Sequence, residues 1–400
     1  MEPQALQLEW YTSFDDPGLE PAWIELSRCL PDASLFSSYH WCRCWWETVG
    51  REAIPMIGVV REPGGHTVGL APLCIQRQGA VRWLSFMGRE RVSGDHLDLL
   101  ARPEDRPRCL AVILPELERR SGEYDGLLFG ELHPDSPTRA GLIAWARRNR
   151  FALHEREQRR VPYIELPKTY DELLASLSSN MRYHVRRRRR GLHKDASARV
   201  ELVREGARIH AVLDEFFELH RRRWETEGLP GNFRDPAMQA FLHRFCSASA
   251  GCDGLRLFVL STNGAIQAVL ICFHHRDTAS YYQMGWAPDC RIESPGIILL
   301  SHSIEQAIAE GLRRYDFLRG EEAYKFRWTN TCVEQSTLLV GCSVAARAAV
   351  TAGRAKNLAK RAISQCFGAE TWERARRAVH RVRQVMTVRS AATSAAGAAP

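Results

Sequence analysis

Tyr315-Asp316-Phe317-Leu318-Arg319-Gly320-Glu321-Glu322-Ala323-Tyr324-Lys325-Phe326-Arg327-Trp328 is the stretch that decides how this chain is read. A short apolar strand over 315–318 runs straight into a loop dense in acids, cations and a phenol. Just before it, Ile297, Leu300, Ile304 and Ile308 recur at helical spacing, and Gly311 supplies a stop. Helix, strand and charged loop in that order are how an α/β fold offers a site at a strand's C-terminal end. Two readings stay open on these residues alone: a solvated loop bearing surface ion pairs, or a reaction site.

Working outward, the second half of the chain repeats the first. Apolar runs at 57–60 and 68–75 flank Glu62-Pro63-Gly64-Gly65, and runs at 256–260 and 266–273 flank Asn263-Gly264; both read as hairpins. Gly65 and Gly264 lie 199 positions apart, while Tyr124-Asp125 and Tyr315-Asp316 lie 191 apart, each opening an apolar strand that ends in Gly-Glu. That near-common period suggests a duplication, with a boundary over 167–179. Further strands are expected at 6–10, 81–86, 96–100 and 163–166, and helices at 21–29, 39–49, 105–120 and 138–149. Tyr39, Trp41, Trp45 and Trp46 read as core packing. On the long helix that follows the second-half linker, His220 reads as a packed residue beside Phe216, Phe217 and Trp224.

The Tyr-Asp-Phe-Leu-Arg-Gly-Glu-x-x-Tyr-Lys-x-x-Trp pattern resembles the signature of the CelD-type branch of the GNAT acyltransferases. That branch is related to the FemAB-like peptidoglycan aminoacyltransferases, and some of its members accompany bacterial cellulose synthesis. The resemblance implies an α/β (α+β) fold of two tandem GNAT-like domains, here 1–168 and 169–343, each a mixed twisted sheet flanked by helices. It also implies an N-acyltransferase, with acyl-CoA as co-substrate and an amine acceptor attacking directly. No Ser-His-Asp or Cys-His arrangement suggests a covalent intermediate. Glu321 is the first choice of general base and Asp316 the second. Lys325, or Tyr324 through its hydroxyl, would stabilise the oxyanion, and Arg319 would bind an acidic or phosphate group on the substrate.

GNAT enzymes hold a pyrophosphate on the backbone N–H groups of a loop entering a helix, because those groups are unpaired and carry partial positive charge. Arg291-Ile292-Glu293-Ser294-Pro295-Gly296 precedes the expected helix at Ile297 and Ile298. Arg291 and Gly296 fit that pattern. Ser294 stands where the pattern has glycine, and Pro295 offers no N–H. The cofactor-binding residues expected are Arg291, Ser294, Gly296, Ile297 and Ile298. Two rivals remain: a FemAB-like transferase fed by aminoacyl-tRNA, and a non-catalytic adaptor of a polysaccharide synthase. The run Arg186 to Arg190, inside a helix capped by Ser178, reads either as a solvated helix end or as a phosphate-facing patch.

Composition sets the outer bounds. Of the 400 residues, 45% are hydrophobic and 26% charged, as in a globular protein, and no apolar run reaches bilayer length. The 12 cysteines are scattered, with Cys42-x-Cys44 the nearest pair, so neither a disulfide scaffold nor a zinc site is expected. No leader sequence is read at the start, and the expected compartment is the cytoplasm. From Gly341 onward eleven Lys/Arg face only Glu370 and Glu373, which places +9 in the tail and leaves the remainder of the +8 chain at −1. Residues 344–400 are therefore expected as a separate basic amphipathic tail with a disordered Ala/Ser-rich end from 391, either a solubilising appendage or a surface able to touch an anionic membrane or nucleic acid. If Gly296 opens a donor-binding helix, Gly296→Trp should abolish acyl-CoA binding in calorimetry without unfolding the chain.

Overall fold

The computed structural model describes residues 5–226, 228, 231–251 and 254–367. In the first half, β1 (Gln7–Tyr11), β2 (Ile54–Arg61), β3 (Thr67–Gln78) and β4 (Val81–Phe86) make an antiparallel meander. The β2–β3 turn places Gly65 at φ +84, which a residue without Cβ adopts freely. Helices α1 (Leu19–Arg28) and α2 (Tyr39–Glu47) lie between β1 and β2, burying Trp23, Trp41 and Trp45 completely. The short β5 (Leu100–Ala101) pairs with β3. Helix α3 (Arg106–Arg119) leads to β6 (Gly126–Leu132), parallel to β4, and α4 (Pro137–Arg148) leads to the long β7 (Ala152–Glu165).

The second half repeats the scheme. Helices α5 (Tyr170–Ser176) and α6 (Ser179–Lys194) precede β8 (Ala198–Val203), then α7 (Arg208–Thr226) and α8 (Pro236–Gly251). A second meander follows: β9 (Leu255–Thr262), β10 (Ala265–His275) and β11 (Thr278–Trp286). Helix α9 (Pro295–Ala309) crosses to β12 (Arg314–Asp316), parallel to β11; then come β13 (Cys332–Gly341) and α10 (Val344–Phe367).

All of these strands join one mixed sheet in the order β1-β2-β3-β4-β6-β13-β7-β12-β11-β10-β9-β8. Read from either edge, four strands, a parallel crossover and a fifth strand come first, which is the duplication expressed as topology. The two central strands are exchanged: β7 from the first half pairs with β12, and β13 from the second half pairs with β6. They also pair with each other over Cys332↔Pro162 to Gly341↔Ala152. The halves share a core as well, since the Trp41 ring stands edge-on to Phe241 at 4.8 Å and Phe245 at 4.7 Å.

Two expectations change. Residues 96–99 are not a strand. His96 sits at φ +49, and the Asp95 and Asp98 carboxylates accept the N–H groups of His96 and Leu99, so side chains replace the ladder there. Nor is the basic tail an appendage from residue 344. The start of α10 buries Ala346 and Val350 against Val81, Trp83, Leu128 and Leu339, closing a third small core. The expected tail beyond 367 lies outside the described residues. Val350→Asp would place an uncompensated carboxylate in that core and should cost about 3 kcal/mol, read as a lowered Tm. Truncation at 343 should likewise lower Tm and not only remove charge.

Candidate functional site

Strands β11 and β12 pair only at Thr278↔Arg314, Ala279↔Tyr315 and Ser280↔Asp316. Beyond these three pairs they separate, and a cavity of about 640 Å³ fills the gap. On one side of the sheet it is lined by Ser294, Pro295, Gly296, Ile297 and Leu300 at the start of α9, with Met181 of α6. On the other side stand His220, Arg223 and Trp224 near the end of α7, with Ser93 from the first half. Between them run Tyr281 to Met284 and Trp286 of β11, and Phe317, Leu318, Arg319, Glu322, Tyr324 and Lys325 from the loop after β12. Among the described residues no strand pairs with the β11 edge beyond these three positions, the kind of edge to which an extended amide chain can add.

The opening stretch thus reaches the cavity, but not with every residue expected to act there. Along β12 and into the residue after it, alternation sends Tyr315 and Phe317 into the core under α9 and Asp316 through to the other face. There Asp316 Oδ2 lies 2.8 Å from His96 Nε2 while Oδ1 accepts the Leu318 N–H at 2.7 Å. Asp316 is therefore no base for this cavity. Glu321 is exposed and absent from the lining, so it too is displaced from the role expected of it. Its neighbour Glu322 is the one carboxylate among the described lining residues.

Lys325 is buried, and its pairing differs from the i,i+4 partner that Glu321 offers in sequence. Its Nζ donates to Leu318 O at 3.1 Å and Arg319 O at 3.0 Å, and lies 2.9 Å from Glu322 Oε2. An ammonium has three donors. All three are taken, which leaves none for an oxyanion; the lysine instead ties the loop into a closed turn. Arg319 binds an acid, but one of its own chain: Nη1 is 2.6 Å from Glu131 Oε1 and donates to Gly94 O at 2.9 Å. Of the expected catalytic groups Tyr324 fits best. Its ring lies 6.2 Å from that of Tyr281 at the cavity wall, and burial pushes its phenol up to about 12, so it stays a proton donor.

The expected cofactor residues divide. Ser294, Gly296 and Ile297 line the cavity. Ser294 adopts φ +58 and its carbonyl takes the N–H of Ile297 at 3.0 Å and Ile298 at 3.4 Å, which closes the first turn of α9. A Cβ on Gly296 would stand 3.5 Å from Met284, so a large side chain there closes the mouth. Arg291 and Ile298 belong instead to an adjoining groove with Arg187, Arg188, Arg190 and Lys194. Within the arginine run the roles separate: Arg188 pairs with Glu293, and Arg189 pairs with Glu305 at 2.6 Å over the Tyr170 ring. Arg190, Lys194 and Arg291 have no ion-pair partner among the described residues and face the groove.

In sequence His220 reads as a packed helix residue, yet it also lines the cavity. Its Nε2 accepts the Trp224 indole N–H at 2.8 Å, and burial, then Arg223, lower its pKa to about 4, so it is neutral. Its spacing with Arg223 and Trp224, three and four residues on, was the available signal, because those positions share a helix face. Among the described residues there is no group of three or more His, Cys, Asp or Glu that could hold a metal.

Residues 179–326 match the family described as acetyltransferase (GNAT) domain. This segment is similar to a GNAT domain. No curated protein sequence matches the chain significantly. Among solved structures the fold resembles FemX, at 12% identity and TM-score 0.59 over 82% of this chain and 96% of that one. It also resembles a conserved protein of unknown function from Bacteroides thetaiotaomicron, at 14% identity and TM-score 0.54 over 84% and 100%. A third likeness is to the C-terminal domain of an Agrobacterium fabrum protein assigned as a lysylphosphatidylglycerol synthetase, at 12% identity and TM-score 0.51 over 83% and 95%. At such identities these likenesses speak for a common fold. In that fold the second half keeps its open cleft, whereas the matching gap between β4 and β6 of the first half is filled by Phe86 against Phe129, ring centroids 4.7 Å apart.

Because Lys325 is buried with all its donors used, Lys325→Ala should cost about 3 kcal/mol of stability, seen as a lower midpoint in thermal unfolding. Glu321→Gln should change neither Tm nor any turnover the protein shows.

Proposed function

We propose that the chain is an N-acyltransferase that holds its acyl donor in the GNAT domain and passes the acyl group directly to an amine. The observation that carries this reading is the cavity that crosses the sheet where β11 and β12 part, with a helix start at one end and Tyr324 inside. A donor whose anionic part rests on the Arg190, Lys194 and Arg291 groove can thread an amide-bearing arm along the free β11 edge and present its acyl carbon beside Tyr324. The acceptor then reaches it from the α7 side, past His220 and Arg223.

In the transfer, the amine nitrogen bonds to the acyl carbon and the carbon–sulfur bond of the thioester breaks. Tyr324, held as a phenol, gives its proton to the leaving sulfur. The proton released by the amine passes through water to Glu322, the cavity's carboxylate. Arg223, Arg319, Lys325 and Arg327 also line the cavity, and their positive field favours the neutral, nucleophilic form of the amine. The acyl-CoA donor, an acceptor in cell-envelope or exopolysaccharide assembly, and a cytoplasmic place at the inner membrane face are parts of this proposal that rest on the sequence resemblance. No helix among the described residues is long and apolar enough to cross a membrane.

The basic groove favours one second reading, an aminoacyl-tRNA donor as the FemAB relationship suggests. Calorimetry separates them. Acetyl-CoA should bind with a salt dependence of a few charges, and Gly296→Trp should remove that binding. Binding of charged tRNA alone, with a steep loss of affinity as salt rises, would select the second reading, and neither donor binding would leave an adaptor. In the acyltransferase, Tyr324→Phe should lower kcat by about 100-fold with donor affinity unchanged; an undiminished kcat removes the tyrosine from the mechanism.

A further inference from the structure

The halves meet at a polar seam for which the transfer chemistry has no use. His96, between β4 and β5, places Nε2 2.8 Å from Asp316 Oδ2 on β12 and Nδ1 2.8 Å from the side-chain amide of Gln335 on β13. The other Asp316 oxygen accepts the Leu318 N–H at 2.7 Å. Leu318 stands at φ +56, a conformation a leucine adopts only when its surroundings hold it there. In that conformation its carbonyl, with that of Arg319, receives Lys325 Nζ, and Tyr324 is the residue before Lys325. Asp95 adds a second hold from the first half, its Oδ2 accepting the Arg319 N–H at 2.7 Å.

We propose that His96, supported by Asp95, is a positioning residue of the first half that acts through Asp316 and Leu318 to set the loop carrying Tyr324. The consequence for turnover rests on the role given to Tyr324; the geometry does not. It also gives the first half, whose own cleft is filled, a task in the other half's site.

The protonation of His96 fits this task. Rotating the Gln335 amide by half a turn offers its unpaired Oε1 to His96 Nδ1, so that a doubly protonated ring donates at both nitrogens. Burial opposes that charge, but Asp316, by charge and hydrogen bond, and then Asp95 outweigh it, and His96 is pushed up to about 9. The groups around it are Asp316 and Arg314 on β12 with Arg313 just before it, Asp95 beside it, Gln335 on β13, His133 after β6, His275, Arg276 and Asp277 at the β10–β11 turn, and Asp32 between α1 and α2. The folded-state value lies above the ordinary one of about 6.5. The hold is therefore complete below about pH 6.5 and is lost as pH rises through about 9.

Hydrogen exchange of the full chain, followed by mass spectrometry over residues 317–328, tests this without any substrate. After correction for intrinsic exchange, protection of that segment in the wild type should fall by about 10-fold or more between pH 7 and pH 9.5. In His96→Ala and in His96→Gln, which keeps size and hydrogen bonding without charge, protection should be low at pH 7 and flat with pH. Peptides from β9 and β10 should not change. A wild-type loop indifferent to pH, or variant loops as protected as the wild type, would overturn the proposal. So would a uniform loss of protection in His96→Gln, which would make the residue a brace of the whole fold. If the loop loosens as expected while kcat stays at the wild-type level, the positioning stands and the role given to Tyr324 falls.

Discussion

Glu131 is the point on which the two halves bear. It is 2% exposed, at φ +60, at the end of β6. Arg89 reaches it at 2.5 Å from its own half and Arg319 at 2.6 Å from the other, with Arg159 at 4.0 Å. A buried carboxylate is tolerable only with such partners, and removing one leaves the others uncompensated. Gly130 makes room for the arrangement, since a Cβ there would stand 2.3 Å from Arg89 Nε. The loop after β12 is thus fixed at its third residue, Arg319, by a charge the first half cannot leave unpaired.

That constraint explains why two similar halves ended in different states. In each, a parallel crossover leaves strands that separate after three pairs, β4 from β6 and β11 from β12. Near β4 and β6, aromatic rings and the Arg89–Glu131 pair occupy the opening. Near β11 and β12, the same place stays open and is lined by Tyr281, Tyr324 and the first turn of α9. The filled opening became the anchor for the loop that borders the empty one.

Much of this was legible in the sequence. The hairpins, the near-200-residue period and the helix–strand–loop order at 297–328 gave the tandem α/β plan, because turn residues and periodicity are local signals. Within the site the same locality misled. Asp316 and Glu321 look alike as acids on a motif, but strand alternation turns one through the sheet and an irregular loop leaves the other in solvent. Lys325 looked free to serve chemistry, and only its three acceptors reveal a brace. His96, Asp95 and Glu131 lie 188 to 224 positions from Asp316 and Arg319, the residues they hold, Asp95 and Arg319 being the farthest apart. No single-sequence pattern carries such a distance.

The exchange of the two central strands has a consequence in time. β6 pairs on one edge with β4, available at once, and on the other with β13, from Ser336↔Leu132 to Gly341↔Gly126. More than 200 residues must be added before that second partner exists. At synthesis rates of about 5–20 residues per second, the β6 edge waits some 10–40 s as an open row of N–H and C=O groups. The strand is GLLFGEL, apolar over its first four residues and without a lysine or proline to blunt it. The interval between the emergence of β6 and of β13, more than any state of the finished molecule, is when this chain is most exposed to aggregation.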